Sequence, residues 1–260
     1  MLAACAALGA TACGRHVYLG TLTDGSLTTD GGPTDAVPGI LWQATFEPGD
    51  LSEWLADGNG GIYMDSTATA PAATQAAAHR GAWAGIATFA SVSPISFSYL
   101  YREQPSPPEA YYGAWFFIPT SLRVGSWVSL LHFGYHRTAG SADTMPVFDF
   151  NVYPGSDGKL YLHLFDPVTV SNTDQTNPVP VPLGEWVHFE IFLRKAADAT
   201  GRITIWQNGA QILDVPNLLT APTDWLQWDI GGGSNDITPT PASVYFDDAT
   251  ISTARVGVGQ

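Results

Sequence analysis

The eight residues Leu130–Arg137 (Leu-Leu-His-Phe-Gly-Tyr-His-Arg) hold two histidines, a tyrosine and an arginine. Imidazole and phenol exchange protons with a reacting group, and a guanidinium holds a carboxylate, so the run has the parts of a general acid–base site. Its spacing limits their use. Alternate side chains of a strand face opposite ways, which pairs His132 with His136 and Tyr135 with Arg137 unless a bulge at Gly134 re-aims them. A second set has the types that suit sugars: aromatic faces for CH-rich rings and planar polar groups for hydroxyls. It comprises Trp186, His188, Glu190 and Arg194; Asp149, Asn151 and Tyr153; Tyr161 and His163; and Arg202 and Trp206.

Strands must position these groups. Trp186–Arg194 alternates Val187, Phe189, Ile191 and Leu193 with Trp186, His188, Glu190, Phe192 and Arg194. The same period separates Phe148, Phe150 and Val152 from Asp149, Asn151 and Tyr153, and Leu160, Leu162 and Leu164 from Tyr161, His163 and Phe165. Pro154–Gly158 between those two runs reads as a hairpin turn, as does Asn208-Gly209 between 202–206 and 212–215. Further strands are expected at 42–47, 83–89, 95–102, 111–118, 127–136 and 243–251, and the alanine-rich 68–78 reads as a loop because of Pro71 and its threonines. The expected fold is all-β, a two-sheet antiparallel sandwich.

Composition removes whole classes. The 260 residues are 45% hydrophobic and 12% aromatic but only 13% charged, and 24 acids against 10 bases leave a net charge of -14. That argues against nucleic acid as a partner, which calls for a basic patch, and against adhesion to anionic lipid. With no Glu-x-Asp-x-x-Glu strand motif, glycoside hydrolysis lacks its paired carboxylates. Both cysteines, Cys5 and Cys13, lie in the first 13 residues, so the domain has neither a disulfide framework nor a zinc-thiolate site.

Residues 1–13 read as a signal-like segment in which Leu2-Ala3-Ala4-Cys5 resembles a bacterial lipobox, with Cys5 the lipidated residue. No positively charged stretch precedes Leu2. Residues 14–39, rich in Gly, Thr, Ser, Asp and Pro, read as a flexible linker, 40–255 as the domain and 256–260 as a tail. This organisation implies an exported cell-envelope lipoprotein or secreted protein, monomeric, touching membrane only through its N-terminal lipid.

Three local patterns carry a family resemblance. Phe46–Trp54 (Phe-Glu-Pro-Gly-Asp-Leu-Ser-Glu-Trp), Ala78–Ala87 and Val244–Ser252 resemble the opening, following and closing strands of carbohydrate-binding jelly rolls. The middle section, Gly184–Arg194 with Gly201–Gly209, is similar to the concanavalin A-like lectin and glucanase group. Within that group the chain most resembles bacterial heparin-lyase-like polysaccharide lyases, over roughly residues 42–252.

The resemblance implies a concanavalin A-like jelly roll and polysaccharide as partner. It also implies a structural Ca²⁺ held by Glu47, Asp50, Asp247 and Asp248, because a hard cation needs several oxygens at once. Lyases of this fold neutralise a uronate carboxylate and then move a proton with Tyr or His. Their role falls here to His132, Tyr135, His188 and Arg194. The Gln-x-His and Arg-x-Glu-x-Arg patterns of alginate-type lyases are missing.

Two functions from different classes follow, with a surface adhesin or structural envelope protein as a third. Charge ranks them: a groove for an acidic polymer needs local cations, and Arg102, Arg123, Arg137, Arg194, Lys195 and Arg202 are the ones available. A cell-surface polysaccharide binder is therefore placed ahead of a lyase cleaving a uronate polymer by β-elimination.

Overall fold

The computed structural model describes residues 39–105, 107–136, 144–221 and 225–259. Cys5, Cys13 and the run preceding Gly39 lie outside them, as does Arg137. Among the described residues eighteen strands carry the fold: β1 (Ile40–Ala44), β2 (Gly60–Met64), β3 (Thr69–Thr74), β4 (Ala84–Phe89), β5 (Ser96–Pro105), β6 (Glu109–Phe117), β7 (Arg123–Val124), β8 (Val128–His136) and β9 (Thr144–Pro154). The second half supplies β10 (Leu160–Asp166), β11 (Ser171–Thr173), β12 (Pro180–Val181), β13 (Trp186–Arg194), β14 (Gly201–Gln207), β15 (Ala210–Leu218), β16 (Trp225–Ser234), β17 (Ile237–Thr238) and β18 (Ala242–Ser252).

They form two large antiparallel sheets packed face to face, a jelly-roll sandwich. Sheet A runs β15-β14-β13-β6-β18-β4-β3, with β1 also on β18. Sheet B runs β11-β10-β9-β8-β16-β5-β2, with β12 also on β10. The period-two pattern decides what lies between them. Val187, Phe189, Ile191 and Leu193 of β13 meet Leu131, Phe133, Phe150 and Leu162 of the facing sheet in one continuous buried core.

Three differences from the sequence reading have physical causes. The opening strand stops at Ala44, not 47: Phe46 takes a left-handed backbone (φ 61), and the Glu53 carboxylate accepts the N–H groups of Thr45 and Phe46 at 2.8 and 2.7 Å. Within 68–78, Thr69–Thr74 is a strand, because β4 offers it an edge that outweighs weak local propensity. β16 has no counterpart among the expected strands, because Gly231-Gly232-Gly233 hides it.

Those glycines answer to close packing. A Cβ on Gly232 would stand 2.1 Å from the Phe89 ring, and one on Gly231 2.2 Å from the Ser98 carbonyl oxygen. Gly232→Ala is therefore expected to cost about 1–3 kcal/mol by overpacking. The check is a lower denaturant midpoint at unchanged slope. An unchanged midpoint would mean that the Phe89 ring yields freely.

Candidate active site

The residues singled out in the sequence separate onto opposite outer faces of the sandwich. His132, Asp149, Asn151, Tyr153, Tyr161 and His163 lie in sheet B; Trp186, His188, Glu190, Arg194, Arg202 and Trp206 lie in sheet A. Alternation tells which residues of a strand share a face; it does not tell which sheet the strand joins. The expected quartet is thus divided, with His132 and Tyr135 on β8 and His188 and Arg194 on β13. No single sugar subsite touches both sets. β8 and β9 do shift register between Phe133 and Gly134, where the sequence suggested a bulge. The side chains of Tyr135 and His136 fall outside the described residues.

On sheet B the register assembles two polar rows. Phe165, Asp149, His132, Asp229 and Tyr101 stand side by side across β10, β9, β8, β16 and β5, and His163, Asn151 and Ser129 form the row beside them. His132 is the centre. Its Nε2 lies 2.6 Å from the buried Asp229 Oδ2, and Gln227 Nε2 donates to Asp229 Oδ1 at 2.8 Å. The Tyr99 ring meets the imidazole edge-on with centroids 4.8 Å apart. Burial alone would push the His132 pKa down. The Asp229 carboxylate in contact, with Asp149 beyond it, outweighs burial and holds His132 above the ordinary histidine value.

The neighbours shift the same way, which for an acid favours the uncharged form. Burial raises the Asp149 carboxyl above the usual carboxylate range, against the pull of His132 and with the push of Asp229. Burial also raises the Tyr99 phenol well above its ordinary value, and the Tyr153 phenol less far. Further along, His163 Nδ1 is 2.6 Å from Asp174 Oδ1, and the His163 ring lies 4.6 Å from the Tyr153 ring. Asn151 is buried with its Oδ1 unpartnered. The face thus combines an imidazole stabilised in its charged form, two phenols that stay protonated and a second imidazole fixed by a carboxylate.

Sequence reasoning missed Asp229, Gln227, Tyr99 and Asp174. Gln227-Trp228-Asp229-Ile230 alternates polar with apolar and would have revealed the first two had the glycines after it not masked the strand.

The sheet A face is used differently. Glu190, 1% exposed, accepts the N–H groups of Val256 and Gly257 at 2.6 and 3.1 Å and Arg255 Nε at 2.8 Å. Arg255 in turn lies 4.3 Å over the Trp206 ring. Glu190 and Trp206, expected to face a sugar, hold the protein's own C-terminal segment. Arg194 pairs with Glu109 at 2.7 Å and Arg202 with Asp214 at 2.6 Å, while Trp186 packs against Phe117.

The expected calcium ligands do not converge. Glu47 accepts the N–H groups of Ala82 and Trp83, and Asp50 that of Ser52. Asp247 accepts those of His79 and Asp248, while Asp248 itself bonds His79 Nδ1 at 2.7 Å. Burial, then the neighbouring Asp248 carboxylate, push the Asp247 carboxyl up to about 7. Among the described residues no three His, Cys, Asp or Glu side chains are grouped to hold a metal ion, so these four do not fit a shared cation.

The basic residues scatter. Arg102 is buried between the sheets, 4.3 Å over the Trp42 ring and paired with Asp57; Arg123 sits in β7; Arg194, Lys195 and Arg202 belong to sheet A or its margin. None of these five stands beside His132.

Against known proteins the chain shows one consistent likeness. The family model described as polysaccharide lyase matches residues 97–250, from β5 to β18 and more than half of the chain. No curated protein matches. Among solved structures, an endo-beta-1,4-glucuronan lyase from the fungus Trichoderma reesei is 17% identical, with TM-score 0.57 over 83% of this chain and 96% of that one. The cellulose-induced protein Cip1 is 18% identical, with TM-score 0.56 over 84% and 99%. A PL-14 alginate lyase from Aplysia kurodai is 14% identical, with TM-score 0.54 over 82% and 98%. At these identities the structures speak for the fold, while the family model spans every strand that carries the His132 row, and on that ground the chain belongs to the polysaccharide lyase family.

Proposed function

We propose that the protein cleaves a uronate-bearing polysaccharide by β-elimination on the outer face of sheet B. The observation that carries this reading is the His132–Asp229 pair, an imidazole favoured in its charged form amid phenols and carboxamides, in a chain of the polysaccharide lyase family. The reading reverses the order suggested by net charge, because His132 supplies the cation that the scattered arginines do not.

Elimination needs three things at one sugar unit. The carboxylate must be stabilised as C5 loses its proton, a base must take that proton, and an acid must protonate the leaving O4. Asp229 takes one N–H of the His132 imidazolium; the other is assigned to the uronate carboxylate, whose charge grows as the enolate forms. Asp174 fixes His163 at Nδ1, which leaves Nε2 as the base for the C5 proton. The C5–H electron pair becomes the C4=C5 double bond as the C4–O4 bond breaks. Tyr153, kept protonated by burial and beside the His163 ring, donates to O4.

One observation favours binding without cleavage: none of the five described basic residues named above lies beside His132. Incubation with a panel of uronate and neutral polymers decides between the two. A rise in ultraviolet absorbance from unsaturated ends is expected with at least one uronate polymer and with no neutral one. Retardation in polymer gels without any such rise would leave only the binder.

The pH profile tests the pair directly. Because Asp229 raises the His132 pKa, the imidazolium persists up to that raised value, and the alkaline limb of activity is its loss as pH rises through it. Asp229→Asn removes the raising charge, so the alkaline loss should move to lower pH. A profile that Asp229→Asn leaves in place would separate His132 protonation from turnover.

A further inference from the structure

A cavity of about 330 Å³ opens on the outer face of sheet A, on the far side of the sandwich from His132. Trp115, His188 and Thr250 reach it from the adjacent strands β6, β13 and β18, joined by Gln43, Arg80 and the tied-down C-terminal segment. Three features mark it as built. His188 is 2% exposed, yet its Nδ1 has no hydrogen-bond partner, and buried polar atoms in native proteins are nearly always satisfied. Gly113 leaves room in the floor, since a Cβ there would stand 3.2 Å from both His188 Nε2 and Thr250 Oγ1. Glu190 fixes one wall through the N–H groups of Val256 and Gly257.

The chemistry of the lining narrows the ligand. An apolar guest would leave the polar lining groups of Gln43, His188 and Thr250 without partners. A multiply charged anion would meet the Asp248 carboxylate, which lines the cavity and is committed to His79. The exposed Arg80 guanidinium makes no hydrogen bond or ion pair to another described residue, so one carboxylate can be matched. Burial pulls His188 down to about 4, so at neutral pH its ring is uncharged, with one nitrogen donating and one accepting, which suits a sugar hydroxyl.

We propose that this cavity is a second carbohydrate site that takes one acidic sugar unit, with its carboxylate on Arg80 and its hydroxyls on His188 and Thr250 beside Trp115. The assignment of an acidic sugar rests on the reading that the polymer carries uronates. Two sites on opposite faces would hold a strand while the other face cuts, raising retention on an insoluble polymer beyond the affinity of either site.

The test is two-dimensional NMR of the full chain titrated with a saturated glucuronate trisaccharide and, as the neutral probe, cellotriose. Trp115 indole shifts are expected with the trisaccharide, with at least ~10-fold weaker binding for Arg80→Ala and for cellotriose. Arg80→Ala, being at an exposed position, should keep the wild-type rate on soluble polymer yet lose retention on the insoluble one. Absence of Trp115 shifts, or shifts indifferent to Arg80→Ala, would overturn the site, and equal binding of cellotriose would overturn the carboxylate assignment. Trp115 shifts that depend on Arg80 in a protein that cleaves nothing would leave this site standing and remove the lyase reading.

Discussion

On the proposed mechanism His132→Ala is expected to lower turnover on the cognate uronate polymer by about 10³-fold while leaving polymer affinity nearly unchanged, the largest functional effect that this reading implies. The reasoning is differential binding. The imidazolium meets a carboxylate in the ground state, but its hydrogen bond strengthens as charge builds on that group during loss of the C5 proton. The alanine variant also strands Asp229, which is fully buried, and removal of one partner from a buried pair costs about 3–5 kcal/mol. His132→Gln is the cleaner partner experiment, because its carboxamide can still donate to Asp229 and preserve the fold. If His132→Gln is folded, binds polymer and cuts at the wild-type rate, the imidazole has no part in the chemistry.

A stability effect as large, with no part in the chemistry, is expected at Trp54, on the short helix α1 (Ser52–Leu55). Trp54 is fully buried, its ring 4.7 Å from Trp42 and 6.0 Å from Trp228, and its Nε1 donates to the Tyr101 carbonyl at 2.6 Å. Its own carbonyl accepts from Arg102 Nη1 at 3.0 Å. Trp54→Ala removes ring packing and a buried hydrogen bond together, about 3–5 kcal/mol. For a domain of this size that corresponds to a Tm lower by roughly 10 °C. Thermal unfolding checks it, with Trp54→Phe falling between the two. A Tm within a degree or so of wild type would show that the Trp42–Trp54–Trp228 cluster relaxes around the loss.

The same cluster shows what the sequence could and could not disclose. The jelly roll was legible, because Trp186–Arg194 and the 148–165 hairpin alternate so regularly that a solvated-face reading and a core reading separate by eye. β16 was not, since three glycines, two of them demanded by Ser98 and Phe89, look like a loop until their neighbours are known. Half of the candidate site is legible in the sequence too. His132, Asp149, Asn151, Tyr153 and His163 stand out by their types, and the register sets them on neighbouring strands of one sheet. Their partners Asp229 and Asp174 come from strands and turns that only the folded sheet brings alongside.

The sugar-facing role given to Glu190 and Trp206 went astray for a related reason. A buried carboxylate and an indole face serve a ligand or the chain's own tail equally well, and here Arg255–Gly257 reaches them first. The described arginines do not gather beside His132, and net charge says nothing about histidine. Net charge counts His132 as neutral, whereas contact with Asp229 favours the imidazolium. A groove can therefore acquire its cation from a pair instead of from a basic patch.

The central claim is that a C4=C5 double bond forms when the polymer is cut, and proton NMR of the product end groups tests it most directly. With the cognate uronate polymer, the account predicts one vinylic proton at a new non-reducing end for every new reducing end, and neither signal in the His132→Gln variant. New reducing ends appearing without vinylic protons would mean hydrolysis and would contradict it.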